Sequence, residues 1–212
     1  MKNRTIWLVR HGIREDMIDA SWSEGQERPY DTPLAEPGRR QAEEMGRRLL
    51  QETIDHVFAS PFTRAMQTVS AVVSTLDQKF KVDPALSEAL YPDWYPTDPD
   101  LDGQMRMAQL FEHVDPEHEP RAPVSYPESR PELRARMHGL FVDLTERYAG
   151  NLLIVGHGGS IHGLCQAVVG EDQAIHTCCC CLIEIAGNGD GWELRRNGAD
   201  TSHLSVTEES LH

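Results

Sequence analysis

The deciding stretch reads Thr5-Ile6-Trp7-Leu8-Val9-Arg10-His11-Gly12. Five residues that favour an extended backbone run into an arginine, a histidine and a glycine, which predicts a buried strand ending where ionisable side chains begin. A second stretch, Leu152-Leu153-Ile154-Val155-Gly156-His157-Gly158, has the same pattern far along the chain. Open α/β sheets present reactive groups at the carboxyl ends of their strands. The two stretches therefore predict one site assembled from distant parts of the chain.

The rest of the chain alternates between short apolar runs and segments with helical spacing. Ser60-Pro61 is typical of a helix start, with Ser60 as the cap and proline in the first turn. Further strands are predicted at 55–60, 80–82, 178–185 and 192–195, and helices at 37–51, 61–76, 101–114, 131–148 and 159–169. Strands alternating with helices predict an α/β protein whose mostly parallel central sheet is covered on both faces, a three-layer α/β/α arrangement.

Composition limits the kinds of partner. The chain has 212 residues, with 20 Lys+Arg against 34 Asp+Glu, and a formal net charge of -14. Neither nucleic acid nor an anionic membrane surface is expected to bind so acidic a protein. No apolar run has the length of a membrane span, and the N-terminus does not have the pattern of a signal peptide. We expect a cytoplasmic protein with a single domain over residues 1–212; the sequence leaves open whether it forms a homodimer.

Four of the five cysteines are consecutive, Cys178 to Cys181. In a strand they would alternate between the two faces, and no second pair elsewhere completes a zinc-ribbon pattern. We interpret them as small buried side chains in a strand, with metal or redox roles as the alternative. No arginine follows a cysteine six residues later, so the phosphate loop of cysteine-dependent phosphatases is absent from the sequence.

Ionisable residues cluster just beyond the predicted strand ends. They are Arg10, His11, Arg14, Arg64, Glu88 and His157. Three arginines and two histidines at one edge of an acidic protein predict a pocket for a dianion, and guanidinium groups match phosphate oxygens two at a time. Glycines such as Gly158 let the backbone approach the ligand, and helix N-termini add amide dipoles of the right sign. The pattern therefore predicts a phosphoryl site.

Phosphoryl transfer at such a site needs a nucleophile and a proton donor. Since no metal, cofactor or cysteine loop is predicted, the neutral imidazole of His11 is the candidate nucleophile. Glu88 would protonate the leaving oxygen, provided that burial beside the aromatic loop keeps the carboxyl protonated. Asp93 and Glu15 are the alternative donors.

The chain resembles the histidine phosphatase (phosphoglycerate mutase-like) superfamily in motifs that occur in order along most of its length. They are Leu8-Val9-Arg10-His11-Gly12, Thr32-Pro33-Leu34 with Gly38-Arg39-Arg40-Gln41-Ala42, Ser60-Pro61-Phe62-Thr63-Arg64-Ala65-Met66-Gln67-Thr68, and Val155-Gly156-His157-Gly158-Gly159. The resemblance implies a phosphoglycerate mutase-like fold in which His11 takes the phosphoryl group. Arg10, Arg64 and His157 would hold that group, and Glu88 would donate the proton.

The resemblance also favours hydrolysis over isomerisation. Arg14 matches the second arginine of the R-H-G-x-R pattern found in the phosphatases of the superfamily. Phosphoglycerate mutases have R-H-G-[EQ]-S-x-x-N, whereas Ile13, Arg14 and Asp16 stand in the corresponding part of this chain. We therefore expect a metal-independent phosphomonoesterase acting on a small phosphorylated substrate or a phosphopeptide. A phosphoglycerate mutase and a non-catalytic phospho-ligand binding module remain the alternatives.

Aromatic residues in the predicted loops suggest a wall for the substrate pocket. We expect Trp22, Tyr30, Trp94 and, on the helix after the second histidine, His162 to line it, and Tyr91 and Tyr95 in the same loop as Trp94 are further candidates. Such side chains would hold an aromatic or otherwise planar leaving group. Anchoring of the loops by the same aromatic residues is the alternative interpretation.

Three further segments are interpreted from composition. Residues 89–131, rich in proline and aromatic residues, are predicted to form an inserted cap or loop region, and residues 201–212 a loose tail. Asp98-Pro99-Asp100-Leu101-Asp102-Gly103 fits the first half of a calcium-binding loop, but Gln109 stands where a bidentate glutamate is needed. We interpret these aspartates as a cap for the following helix.

Overall fold

The computed structural model describes residues 4–121, 124–189 and 191–211. These residues form six strands: β1 (Arg4–Arg10), β2 (His56–Ala59), β3 (Lys81–Val82), β4 (Leu152–Gly156), β5 (Leu182–Gly187) and β6 (Trp192–Asn197). They also form five α-helices: α1 (Glu36–Leu49), α2 (Thr63–Leu76), α3 (Leu101–Ala108), α4 (Arg130–Arg147) and α5 (Gly158–Val169). Residues 1–3 and 212 of the predicted domain, and 122–123 of the predicted insertion, lie outside the described residues.

The strands form one sheet with the order β3-β2-β4-β1-β5-β6. Strands β3, β2, β4 and β1 are mutually parallel, and β5 pairs antiparallel with both β1 and β6. Only β5 therefore runs against the others, and the predicted mostly parallel sheet is confirmed. Since β1 and β4 are neighbours in the middle of the sheet, their carboxyl ends lie side by side.

Apolar side chains alternate along β1 and build a core on each face of the sheet. Trp7 and Val9 pack with residues of α1 and α2, whereas Ile6 and Leu8 pack with residues of α4 and α5. The predicted three-layer α/β/α arrangement is confirmed. Because both faces of the sheet are buried, the sequences of β1 and β4 are almost continuous apolar runs.

Two predicted helix boundaries are wrong. Helix α2 begins at Thr63, with Phe62 in the capping position, so Ser60 does not cap it as the Ser-Pro pair indicated. The Ser60 hydroxyl is instead 2.7 Å from Nε2 of His157. Helix α3 ends at Ala108 rather than near 114, because the chain turns back and Val114 pairs with Phe80 beside β3.

The aspartate-rich segment before α3 caps that helix, as interpreted. The Asp100 carboxylate accepts a hydrogen bond from the amide of Gly103 at 3.0 Å. Leu101 of α3 then packs with Phe62, Leu90 and Tyr95 in a small apolar cluster. This cluster ties the region 89–131 to the residues just before α2.

The cysteine run does not lie in a strand, which corrects the sequence interpretation. Residues 178–181 form a turn, closed by a hydrogen bond from the Cys181 amide to the Cys178 carbonyl at 3.1 Å, and β5 begins only at Leu182. The turn reverses the chain so that β5 can run antiparallel to β1. Burial of the last three cysteines confirms their interpretation as small buried side chains.

The C-terminal segment, expected to be loose, packs against the body of the domain over its described residues. The Gln41 side chain donates to the carbonyl of Val206 at 3.0 Å, and the Glu44 carboxylate accepts from the amide of Ser205 at 2.9 Å. Glu208 reaches the end of β1, where its Oε1 lies 2.9 Å from Nη1 of Arg10. Hydrophobic periodicity could not indicate this packing, because the segment is short and polar.

Candidate active site

The two histidines meet because their strands are neighbours. Arg10 pairs with Gly156 in the sheet register, so His11 and His157 follow at the same edge. Their ring centroids are 5.3 Å apart, and the side chains are almost fully inaccessible, with 1% exposure for His11 and 0% for His157. The sequence prediction that distant strand ends converge on one place agrees with this geometry.

Close backbone packing holds the loop that follows β1. A methyl group placed on Gly12 would lie only 2.5 Å from the carbonyl oxygen of Gly38, so the loop and the first turn of α1 touch through their backbones. The amide of Ile13 donates to the Gln41 side chain at 2.9 Å, and the Gly12 amide donates to Thr68 Oγ1 at 3.1 Å. Both helices α1 and α2 therefore hold His11 in place.

Hydrogen bonds determine which nitrogen of each imidazole can react. Nδ1 of His11 lies 2.8 Å from the carbonyl oxygen of Gly12, an acceptor, so Nδ1 carries the proton and Nε2 keeps its lone pair. In His157 the bonded atom is Nε2, next to the Ser60 hydroxyl, and Nδ1 is buried without a partner among the described residues. The two rings are thus held in different ways.

Arginines surround the two rings. Arg64 is only 1% exposed, and its guanidinium donates to the carbonyl of Tyr30 at 3.1 Å and stacks 4.4 Å from the ring centroid of Phe62. Arg10 donates through Nη1 to the Thr177 carbonyl at 2.7 Å and to Glu208. In both arginines Nε is buried and has no hydrogen-bond partner in the described part of the chain. An oxyanion would supply acceptors for these donors.

Positive charge and burial keep both imidazoles neutral. Burial, followed by the charges of Arg64 and Arg10, holds the pKa of His11 well below its ordinary value. The pKa of His157 is also held well below its ordinary value, by burial and by Arg64 and Arg14. Burial and the charge of Arg64 lower the pKa of Arg14, which lies 3.0 Å from the carboxylate of Asp16. The cluster is therefore poised to receive negative charge.

Glu88, in the loop after β3, is half-buried, and its side chain contacts the N-terminus of α5. Its Oε1 accepts hydrogen bonds from the amides of Ala89 at 2.8 Å and Ser160 at 3.1 Å. Arg136 fixes the loop that carries it, since the guanidinium donates to the carbonyls of Ala85, Ser87 and Glu88. Sequence reasoning missed Arg136, which has no motif or strand end beside it.

A cavity of about 830 Å³ opens beside these groups. Arg10, Glu88, Trp94, Gly158 and His162 are among the residues that line it. Trp22 and Tyr30 do not line it, which corrects the sequence expectation. Trp22 lies in the turns after β1, and the Tyr30 ring packs against Tyr95 at 5.5 Å while its carbonyl holds Arg64.

Metal ligands are not grouped in the described ranges 4–121, 124–189 and 191–211. No cluster of three or more His, Cys, Asp or Glu side chains there has an arrangement that could hold a metal ion. In the same ranges, no helix has the length and apolar character needed to cross a membrane.

We predict that oxyanions stabilise the protein and flatten its pH dependence. A His pKa lowered by folding makes the free energy of unfolding decrease as pH falls below about 6.5, by up to about 1.4 kcal/mol per pH unit for each histidine. Bound tungstate would raise the pKa values of His11 and His157 and remove part of this slope. Tungstate at a hundred times its Kd should add about 2.7 kcal/mol.

Urea unfolding at pH 5.5 and 7.5, with and without tungstate, measures both effects. Sodium chloride at equal ionic strength is the control for screening. The variant His157→Gln should show a smaller pH slope than the wild type. Equal slopes in all of these samples would contradict the prediction.

Comparisons with known proteins show the family of the chain. The family described as the histidine phosphatase superfamily (branch 1) matches residues 6–200. The ecdysteroid-phosphate phosphatase of Drosophila melanogaster is 28% identical over 91% of this chain, which spans 32% of that protein. The probable phosphoglycerate mutase GpmB of Yersinia pestis is 26% identical, over 95% of each chain.

A solved structure shares the fold. The ecdysone phosphate phosphatase of Bombyx mori in complex with tungstate superposes with a TM-score of 0.68 at 22% identity, covering 91% of this chain and 92% of its own. The family match spans most of the described sheet and both histidine strand ends, and it confirms the resemblance seen in the motifs. The chain belongs to the histidine phosphatase superfamily.

Proposed function

We propose that the protein is a metal-independent phosphomonoester hydrolase that works through a phosphohistidine intermediate. The observation that carries the proposal is the state of His11. Its Nδ1 donates a hydrogen bond to the Gly12 carbonyl, and burial and the charge of Arg64 lower the pKa of the ring. Nε2 therefore keeps a lone pair for attack at neutral pH. The phosphatase named among its relatives supports the same class of reaction.

In the first step, Nε2 of His11 forms a bond to phosphorus while the bond to the leaving oxygen breaks. Arg10 and Arg64 donate through nitrogens that are buried and otherwise without acceptors in the described chain. His157 joins them in the tautomer whose Nε2 accepts from the Ser60 hydroxyl and whose Nδ1, buried without a partner in the described chain, donates to a phosphoryl oxygen. These donors stabilise charge on the equatorial oxygens, where a single one is commonly worth about 10²–10³ in rate.

Glu88 completes the first step and begins the second. Its Oε1 is held by two backbone amides, which leaves Oε2 to carry the proton that goes to the leaving oxygen. The resulting carboxylate then takes a proton from water as the water oxygen attacks phosphorus and the N–P bond breaks. Free phosphate and the starting form of His11 result. Small phosphorylated metabolites and phosphopeptides both present the required group, and the reaction is expected to take place in the cytoplasm.

Assays of free phosphate test hydrolysis against isomerisation. A panel of phosphomonoesters should release phosphate at the same rate with and without EDTA, since no step uses a metal. With 3-phosphoglycerate, any turnover should yield free phosphate rather than 2-phosphoglycerate. Loss of activity in EDTA, or conversion of 3- to 2-phosphoglycerate without release of phosphate, would refute the proposal. The second result would favour the mutase activity named for GpmB.

A further inference from the structure

The cavity beside Arg10 is much larger than a phosphoryl group requires. Its volume of about 830 Å³ falls in the range of pockets that bury most of a drug-sized ligand. Of the predicted phosphate-binding residues, Arg10 and Gly158 line the cavity, so most of this volume remains for the group esterified to phosphate. The size of the cavity points to a bulky leaving group.

Trp94 lies where the leaving group of a bound substrate would contact the protein. A methyl group placed on Gly159 would lie 2.6 Å from Oε1 of Glu88 and 3.2 Å from Cζ3 of Trp94. The carboxyl of Glu88 and the edge of the indole therefore adjoin the same point of α5. If Glu88 protonates the leaving oxygen, the atoms bonded to that oxygen lie against Trp94.

The indole is available for such a contact. Trp94 is 52% exposed, and among the described residues Tyr91 is the one aromatic ring that packs against it, at 5.1 Å between centroids. Arg130 lies 5.7 Å from the Tyr91 ring centroid, a cation–π contact that supports Tyr91 from the rim. An aromatic pair with one uncovered ring is a stacking surface for a flat ligand.

Polar side chains also line the cavity, and two of its charges form a pair. His162 and Gln166 are one turn apart on α5, and Arg134 at the rim forms an ion pair with Glu171. These polar side chains could form hydrogen bonds with hydroxyl groups on the ligand. The aromatic wall formed by Tyr91 and Trp94 is therefore the feature that selects the shape of the leaving group.

We propose that the preferred substrates are phosphate monoesters of planar, mainly apolar alcohols or phenols that stack on Trp94 and Tyr91. The inference rests on the proposed hydrolase function and specifies its substrate class. A small aliphatic ester such as glycerol phosphate would occupy the phosphoryl end and leave the aromatic wall empty.

Substrates of matched chemistry test the stacking. Phenyl and 2-naphthyl phosphate have leaving groups of similar acidity but different planar area, and decahydro-2-naphthyl phosphate has the larger size without planarity. We expect kcat/KM for 2-naphthyl phosphate to fall about 10- to 100-fold in Trp94→Ala and by less than about threefold in Trp94→Phe. For glycerol phosphate, Trp94→Ala should change kcat/KM by less than about threefold.

Trp22→Ala is the matched control, because Trp22 is a half-buried indole that does not line the cavity. It should leave all four kcat/KM values unchanged. Equal losses on naphthyl, decahydronaphthyl and glycerol phosphate in Trp94→Ala, or no loss on any, would overturn the inference. In that case a trapped phosphohistidine would show that the hydrolase function itself stands. Absence of both turnover and phosphoenzyme in the wild type would refute the function and the inference together.

Discussion

Replacement of His11 by alanine is expected to abolish turnover. We expect kcat to fall by about 10⁴-fold or more, as it does when the nucleophile of another enzyme with a covalent intermediate is removed. His157 cannot substitute, because its Nε2 is bound to Ser60 and the ring is held at 5.3 Å from His11 by its own strand. Of the two imidazoles at the site, the alanine variant lacks the one whose Nε2 keeps a lone pair for attack.

Rapid quenching with ³²P-labelled substrate measures this loss directly. The wild type should give an acid-labile, base-stable phosphoenzyme on the peptide that contains His11, and His11→Ala should give none. His138→Ala, at an exposed position on α4, is the control and should keep full activity. Retained tungstate binding in His11→Ala would show that the site is intact. Undiminished turnover in this variant would refute the nucleophile assignment.

Replacement of Glu88 by glutamine should slow the enzyme by an amount that depends on the leaving group. A general acid contributes about 10²–10⁴-fold when the leaving oxygen needs a proton, so alkyl phosphates should lose activity over that range. 4-Nitrophenyl phosphate, whose leaving group needs little protonation, should lose less than about tenfold in the phosphorylation step. Glutamine preserves the hydrogen bonds from the amides of Ala89 and Ser160, so the loop should keep its position.

Single-turnover phosphorylation with both esters separates this role from a structural one. A merely structural defect would slow the two substrates equally. Asp93→Asn and Glu15→Gln remove the other candidate donors; Asp93 is exposed, and Glu15 lies 3.6 Å from Arg39, so neither variant should show the leaving-group dependence. A larger loss for alkyl esters in Asp93→Asn than in Glu88→Gln would transfer the role to Asp93.

Much of the site could be predicted from the sequence because each main group stands at a strand end. Arg10 and His11 follow β1, His157 follows β4, and Arg64 lies in the first turn after β2. A strand end is visible as the point where an apolar run stops, and parallel strands bring their carboxyl ends to one edge. Local pattern was therefore enough to nominate these residues, although not to give their hydrogen bonds.

Local sequence patterns gave wrong predictions where contacts between distant parts of the chain determine the role of a residue. Ser60 looked like a helix cap, yet it contacts His157, because β2 lies next to β4 and their ends are adjacent. Trp22 and Trp94 looked alike as loop aromatic residues, but only Trp94 lies over α5 and lines the cavity. No periodicity distinguishes one loop tryptophan from another, since loops do not repeat.

The partners of Arg10 and of Glu88, the proposed proton donor, could not be predicted from the sequence either. Glu208 binds Arg10 across 198 positions of sequence, and Arg136 holds the Glu88 loop from the middle of α4. The loop-closure entropy of such a contact rises only slowly with the number of residues between its partners. The separation of two residues in the sequence therefore does not predict whether they are in contact.

The sequence by itself determined the layered α/β architecture, the two histidine strand ends and the positive charge beside them, because these follow from residue type and spacing along single elements. Only the tertiary structure decided which nitrogen of His11 is free of a hydrogen bond to Gly12, which residues support Arg10 and Glu88, and that Trp94 lines the cavity. Each of those depends on two or three elements meeting at defined distances, and that meeting is set by strand order and core packing rather than by any local pattern.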